Sequence, residues 1–199
     1  EQQLRCHAFV SLKGLTYLRR NTGLRKAMKE LIAARLDQGY LEQIQLLDGE
    51  IYLIEKGALE SKLLRSPKRF QILSPFDNSL IQRERLKSIF GFQYQIECYV
   101  PETKRQYGYF SLPLLYQDEF VGRMDCKAHR KDRVLDIKFL HLEPKAIMQK
   151  NFDHQAFIQA FVTSVALFKQ FQNCDTLVLT KMEPVSLALE LKKALERLS

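Results

Sequence analysis

Apolar residues recur at helical spacing along LRKAMKELIAARLDQG. Leu24, Ala27, Met28, Leu31 and Ile32 fall on one face and predict an amphipathic helix. Gly39 suits its C-terminal stop. SLKGLTYLRR predicts a shorter helix before it. Asn21 to Gly23 predicts a turn between the two, because Asn and Gly accept positive φ. YLEQIQL and EIYLIE then predict two short strands around Asp48-Gly49, a strong hairpin pair. Helix, turn, helix and β-wing, in that order, predict a winged helix-turn-helix over residues 1–60.

Ser61 to Phe70 is basic and contains a proline, so residues 61–72 read as a linker. Residues 73–199 read as a second domain. Its opening, LSPFDNSLIQRERLKSIFGF, predicts a loop and a short helix carrying Arg83, Arg85 and Leu86, with Asp77 or Ser79 as cap. YQIECYVP alternates Ile96, Cys98 and Val100 against Gln95, Glu97 and Tyr99, and predicts a strand. QYGYFSLPLLY predicts another, at an edge or bulge because of Pro113. Gln117-Asp118 turns the chain into EFVGRMDCKAH, and RKDR turns it into VLDIKFLHLEP. His141 falls in register with Leu135, Ile137 and Phe139 and reads as a core histidine. Such a meander predicts a small antiparallel β-barrel or a strongly curled sheet. The tail predicts a helix, a short strand at TLVLT, and a last helix with Pro184 at its first position. The expected fold class is α+β: a winged helix-turn-helix, then an antiparallel β-barrel-like unit with a C-terminal helical tail.

With 46% hydrophobic and 27% charged residues, the 199-residue chain is expected to form a packed core. Its net charge of +8 favours an acidic partner, nucleic acid or an anionic membrane. No apolar run approaches the ~20 residues of a membrane span. The N-terminus shows neither a secretory h-region nor an initiator Met, so a cut or incomplete chain is expected. Cys6, Cys98, Cys126 and Cys174 lack metal-site spacing and read as reduced thiols of a cytoplasmic protein. His7, His129, His141 and His154 are scattered and form no metal constellation. No nucleophile arrangement is visible, and no cofactor is expected.

Between Lys13 and Lys29 lie Arg19, Arg20, Arg25 and Lys26 without any acidic residue. Arg25, Lys26 and Lys29 fall in the N-terminal part of the second helix, the part that reaches the major groove in a helix-turn-helix. The alternative is a solvated helix face. A second basic cluster is the hairpin AHRKDR, with His129, Arg130, Lys131 and Arg133 at its tip and Arg123 and Lys127 on the incoming strand. It reads either as a ribbon leaning on phosphates or as a solvated turn matched by Asp125, Asp132 and Asp136. Gln93 and Gln95 point the same way from a strand. They read as a pair that orients water, or as two polar residues on a wet face.

The pieces SPFD, RERL, FGF, YVP, KRQYGY, LPLL, VGRMD, KAHRK and HLEP, in this order from Ser74 to Pro144, are similar to the C-terminal region of the YcaQ/AlkZ-type crosslink-repair DNA glycosylases. The winged-helix part and the tail match in order and pattern. These winged-helix proteins, bacterial in type, cleave the N-glycosidic bond of alkylated bases, including crosslinked N7-alkylguanines. N7 alkylation makes the base a cationic leaving group, so the site mainly places water and stabilises an oxocarbenium-like sugar. The resemblance implies a family Gln-x-Gln or Gln-x-Asp motif in the N-terminal region. Gln93-Tyr94-Gln95 shares its letters but not its position: it lies in the C-terminal strand unit, where relatives commonly carry Asp-Tyr-Arg. Neither glutamine is therefore given a catalytic role, and the catalytic pair is expected upstream of Glu1.

The expectation is a monomeric C-terminal half that holds double-stranded DNA. Arg25, Lys26 and Lys29 would contact backbone or groove. The hairpin with Arg123, Lys127, His129, Arg130, Lys131 and Arg133 would brace the lesion site. Lys68, Arg69, Arg83, Arg85 and Arg105 would be secondary phosphate contacts. A winged-helix transcription regulator with a sensing β-domain is the alternative reading, and a catalytically dead adaptor a third.

Overall fold

The structure, a computed structural model, describes residues 1–60 and 69–196. Its described residues fall into two units, one built from residues 1–60 and 76–94, the other from 69–75 and 95–196. The expected linker lies outside the described residues up to position 68. Its end, Phe70–Ile72, is a strand of the second unit.

In the first unit, α1 (Gln2–His7) leads to α2 (Leu12–Leu15), α3 (Thr22–Asp37), and the strands β1 (Leu41–Gln45) and β2 (Ile51–Glu55). Ser11 caps α2 by accepting from the Gly14 amide at 3.0 Å. That helix lasts one turn instead of running to Arg20. Asn21 is not part of a turn between helices. Its side chain accepts from the Leu24 amide at 3.1 Å, so it caps α3, and Thr22 and Gly23 lie in the first helical turn. Asn satisfies an orphan helix donor better than most residues, and here that outweighs the turn preference of the Asn-Gly pair. Gly39, at φ 71, ends the helix and donates to Leu36 O at 2.9 Å. β1 and β2 pair antiparallel around Asp48-Gly49, and Val10 bridges to β2 by exchanging both backbone bonds with Leu53.

Residues 76–94 complete this unit. Its buried apolar residues are Val10, Tyr52, Leu53, Ile54, Leu80, Leu86, Phe92 and Tyr94. The helix α4 (Arg83–Phe90) begins at Gln82, whose side chain packs on Gly14 and donates to its carbonyl at 3.3 Å. A Cβ at Gly14 would stand 2.6 Å from the Gln82 amide oxygen. Neither Asp77 nor Ser79 caps α4. Asp77 Oδ1 accepts from Ser79 N at 2.8 Å and Ser79 Oγ at 2.6 Å, so the two side chains close a local turn on each other.

The second unit holds a five-stranded sheet in the order β3 (Phe70–Ile72), β4 (Ser111–Tyr116), β5 (Glu119–His129), β6 (Val134–Leu142) and β7 (Thr176–Glu183). The first four strands are antiparallel, and β7 runs parallel to β6. The sheet is open, with β3 and β7 as its edges, and does not close into the expected barrel. A parallel neighbour needs a crossover. Here the chain passes through α5 (Pro144–Ile147) and α6 (His154–Phe171) before returning as β7. The last helix, α7 (Ala188–Glu196), starts four residues after Pro184, because a single 3₁₀ turn at Val185–Leu187 intervenes. The segment YQIECYVP forms no strand and holds only a 3₁₀ turn at Glu97–Tyr99.

Helices α6 and α7 cover one face of the sheet. Phe157, Phe161, Val165, Leu191 and Leu195 bury against Leu114, Met124, Leu135, Ile137, Leu140 and Leu142. Each such side chain contributes about 1.5–3 kcal/mol on leaving water. A register shift decides what the other face carries. Asp125 opposes Phe139, but Cys126 opposes Ile137, so Lys138 is left without a partner in β5. The side-chain alternation therefore slips by one residue. Leu135 and Ile137 face the core before the shift, and Leu140 and Leu142 after it. His141 consequently does not lie on the core side with Leu135 and Ile137. It stands on the opposite face with Phe139, Arg123 and Asp125.

Candidate nucleic-acid interface

Along α3 the charges and apolar groups separate. Leu24, Met28 and Leu31 form one stripe, while Arg25, Lys26 and Lys29 project elsewhere and are exposed. The one-signed run from Lys13 continues through Arg19 and Arg20, both exposed. The N-terminal end of α3 adds the positive pole of the helix dipole to this surface. Residues 1–60 and 76–94 hold twelve basic residues against ten acidic ones, so the positive surface of α3 comes from the local run and not from a large net charge of the unit.

The other basic residues divide into exposed and committed groups. Arg69 is exposed, and Lys68 lies outside the described residues. Arg83 stacks over Tyr94, 4.5 Å from the ring centroid, and its guanidinium donates to Leu80 O. Burial lowers its pKa. Arg85 is buried and donates to Asn78 O, so it braces the loop ahead of α4 rather than standing at the surface. Arg105 donates through Nε to Val100 O at 2.9 Å and Glu97 O at 3.2 Å.

In the second unit, the β5–β6 hairpin exposes Lys127, Arg130 and Lys131. Arg133, at φ 54, pairs with Asp175 ahead of β7, and Nη2 donates to Oδ1 at 2.7 Å. That bond raises the Arg133 pKa and lowers that of Asp175. His129 Nε2 lies 3.7 Å from Asp136. The hairpin thus has three cations without an ion-pair partner among the described residues, while a fourth, Arg133, ties its turn to Asp175.

Behind the hairpin, the second sheet face carries a polar layer that alternation alone does not reveal. Arg123, with its side chain 5% exposed, donates to Glu143 at 2.6 Å and lies under Tyr107, 4.0 Å from the ring centroid. His141 is 17% exposed and packs on Tyr107 at 4.9 Å. Glu143 lies 3.8 Å away and Glu183 3.7 Å. Lys181 sits over Phe139 at 4.1 Å and pairs with Glu183 at 3.0 Å, which lowers the Glu183 pKa. Arg123 is therefore an internal brace, not a surface cation. Asp125, on the same face, accepts from the amides of Tyr109 at 3.0 Å and Phe110 at 3.2 Å. Glu97 accepts from those of Gln106 at 3.0 Å and Tyr107 at 2.7 Å. Of these groups, sequence reasoning missed Glu97, Tyr107, Asp125, Glu143 and Glu183 as a set. The one available signal was the Arg-x-Asp of VGRMD, two charges on one side of an otherwise apolar strand.

The layer offers cations, rings and fixed carboxylates, but no activated nucleophile. Cys126, near Asp125 and Asp136, has its thiol pushed up to about 12, chiefly by burial. Among the described residues no group of histidine, cysteine and carboxylate side chains is arranged to hold a metal. No helix among them is long and apolar enough to cross a membrane. Gln93 and Gln95 are both exposed, on either side of the buried Tyr94, in a segment without strand structure.

The DNA glycosylase AlkZ of Streptomyces sahachiroi has a similar fold, with a TM-score of 0.51 at 12% identity. The match covers 90% of this chain and 43% of that one. This chain thus spans under half the length of that structure. The model of the AlkZ-like DNA glycosylases matches residues 1–168, which include α3 and the β5–β6 hairpin and end within α6. The chain belongs to the AlkZ-like DNA glycosylase family.

Proposed function

We propose that this chain holds duplex DNA for the excision of alkylated bases, of the N7-alkylguanine type, by hydrolysis of the N-glycosidic bond. The first unit serves as a winged helix. α3 lies against the DNA, with Arg25, Lys26 and Lys29 on groove or backbone, and β1–β2 is the wing. The hairpin cations Lys127, Arg130 and Lys131 lean on phosphates nearer the lesion, and Arg69 adds a secondary contact. No residue of this chain is given the bond-breaking role. Arg83, Arg85, Arg123 and Arg133 act through the loops and strands they hold.

The observation that carries this reading is the separation along α3. Its three cations are exposed in the first half of the helix, beside a hairpin, and none has an ion-pair partner among the described residues. Family membership supports the chemistry. A cationic N7-alkylated base leaves readily, so the protein mainly has to position the DNA and exclude competing geometries.

The test uses a duplex carrying one N7-methylguanine. Binding is read by fluorescence anisotropy and base release by alkaline strand cleavage. The expected result is salt-dependent binding that is indifferent to sequence. Binding to one preferred sequence over all others would instead favour a regulator. Base release above the spontaneous rate would return Gln93 and Gln95 to consideration as catalytic groups.

A further inference from the structure

The loop between Gln95 and Phe110 is held more firmly than its lack of strand structure suggests. Two buried carboxylates clamp it from below. Glu97 takes the amides of Gln106 and Tyr107, and Asp125 those of Tyr109 and Phe110. Between them stands Gly108 at φ 113, where a Cβ would fall 2.1 Å from an Asp125 oxygen. Tyr107 turns inward onto Arg123 and His141. Tyr109 turns outward and is 57% exposed, and Tyr99 on the same loop is 86% exposed. Arg105 joins the two parts. Its Nε donates to the carbonyls of Glu97 and Val100, and its guanidinium carbon lies 5.0 Å from the Tyr109 ring centroid. Only Nε is taken up by those two bonds.

A fixed backbone presenting outward tyrosines backed by an arginine is arranged to receive a flat ring. We propose that Tyr99, Arg105 and Tyr109 form a preorganised stacking platform for an unstacked DNA base. Bases within a duplex already occupy each other's faces, so only one out of the stack can use it. Enzymes that do chemistry on a base within duplex DNA commonly take that base out of the stack. Base–aromatic stacking is tolerant of base identity, which suits a protein that follows lesions rather than sequence. Arg105 holds one side of the Tyr109 ring by a cation–π contact and brings positive charge toward the strand. The exposed Lys104 adds a cation beside the exposed Glu102. This proposal rests on the DNA reading above and names which part of the DNA the loop takes.

The probe is 2-aminopurine, whose fluorescence falls on stacking. It is placed in three DNAs: a single strand, a duplex with a one-base bulge, and a fully paired duplex. The wild-type chain is expected to quench the single strand and the bulge, and to bind the bulge more tightly than the paired duplex. The double variant Tyr99→Ala, Tyr109→Ala should lose the quenching and bind the bulge roughly tenfold more weakly. Its affinity for the paired duplex should not change. Tyr109→Phe keeps the ring and should keep the quenching, which separates stacking from the phenol hydroxyl. Thermal unfolding of each variant controls for folding. The platform is overturned if the wild type quenches neither the bulge nor the single strand. It is equally overturned if the double variant weakens paired and bulged DNA alike. Quenching of the single strand without any affinity for either duplex would keep the platform and overturn the duplex-holding function.

Discussion

The guanidinium of Arg123 lies against the Tyr107 ring at 4.0 Å and is bound on its other flank to Glu143 at 2.6 Å. Arg123 and His141 face each other across β5 and β6, and Glu183 faces His141 across β6 and β7, so this row spans three strands. A charge this buried is stabilising only while its partners stay. Removing the carboxylate in Glu143→Ala leaves the arginine buried beside a histidine, and should cost about 3 kcal/mol. Tyr107→Leu removes the ring but not the ion pair, and should cost closer to 1 kcal/mol. Urea unfolding of both variants checks the order. A Glu143→Ala variant as stable as the wild type would show that the row does not contribute to stability.

The clamp around Gly108 gives a second expectation. Gly108→Ala must both adopt φ 113 with a side chain and push the Asp125 carboxylate aside. The two penalties together should exceed about 2 kcal/mol. For a domain of this size that lowers the melting temperature by roughly 5 °C or more. Asp125→Asn keeps the shape but gives up the charged acceptor for the Tyr109 and Phe110 amides. Its loss should be smaller, about 1–2 kcal/mol. Calorimetry on the two variants tests the ranking.

For the DNA surface the discriminating quantity is the salt slope. Each phosphate contact contributes about 0.9 to the dependence of log K on log salt. The Lys26→Ala, Lys29→Ala pair should therefore reduce the slope by roughly 2, and Arg130→Ala, Lys131→Ala by a similar amount if both tip cations reach the backbone. Arg85→Met changes a buried group and should leave the slope alone while lowering stability. Anisotropy titrations at several salt concentrations read all three. An unchanged slope in the α3 variant would remove that helix from the interface.

Local signals in the sequence carried the fold as far as neighbours along the chain decide it. The apolar stripe of α3, the Asp48-Gly49 hairpin and the β5–β6 hairpin each depend on residues within a few positions, and each is where the pattern put it. What failed depended on partners far away. The alternation at Gln95 to Val100 is that of a strand, yet Glu97 points inward to bind amides ten residues on. A short run such as TLVLT does not state which strand it joins or in which direction, so the parallel edge that keeps the sheet open was not legible. His141 was misplaced for a third reason. Period-two reasoning counts positions, and one unpaired residue at Lys138 reverses every assignment after it. The same distinction holds at the interface. Exposed cations on helix and hairpin follow from local sequence, whereas the burial of Arg85 and Arg123 depends on what folds over them.

Cys126 supplies a prediction about pH. Burial, with Asp125 and Asp136 nearby, holds its thiol at about 12 in the folded chain. In the unfolded chain the value returns to about 8.5. The folded state therefore keeps a proton that the unfolded state gives up. Its stabilising contribution is fully present below about pH 8.5 and is lost as pH rises toward 12. Cys126→Ala should flatten the fall in stability over that alkaline window and leave the behaviour near neutrality unchanged in shape. Reactivity offers an independent check. At pH 8 the Cys126 thiolate fraction is ~10⁻⁴ in the folded chain, while Cys6 is exposed. A disulfide reagent added to native protein should modify Cys6 promptly and reach Cys126 only after denaturant is added. Rapid modification of Cys126 in the native chain, located by peptide mapping, would show that its side of the sheet opens to solvent.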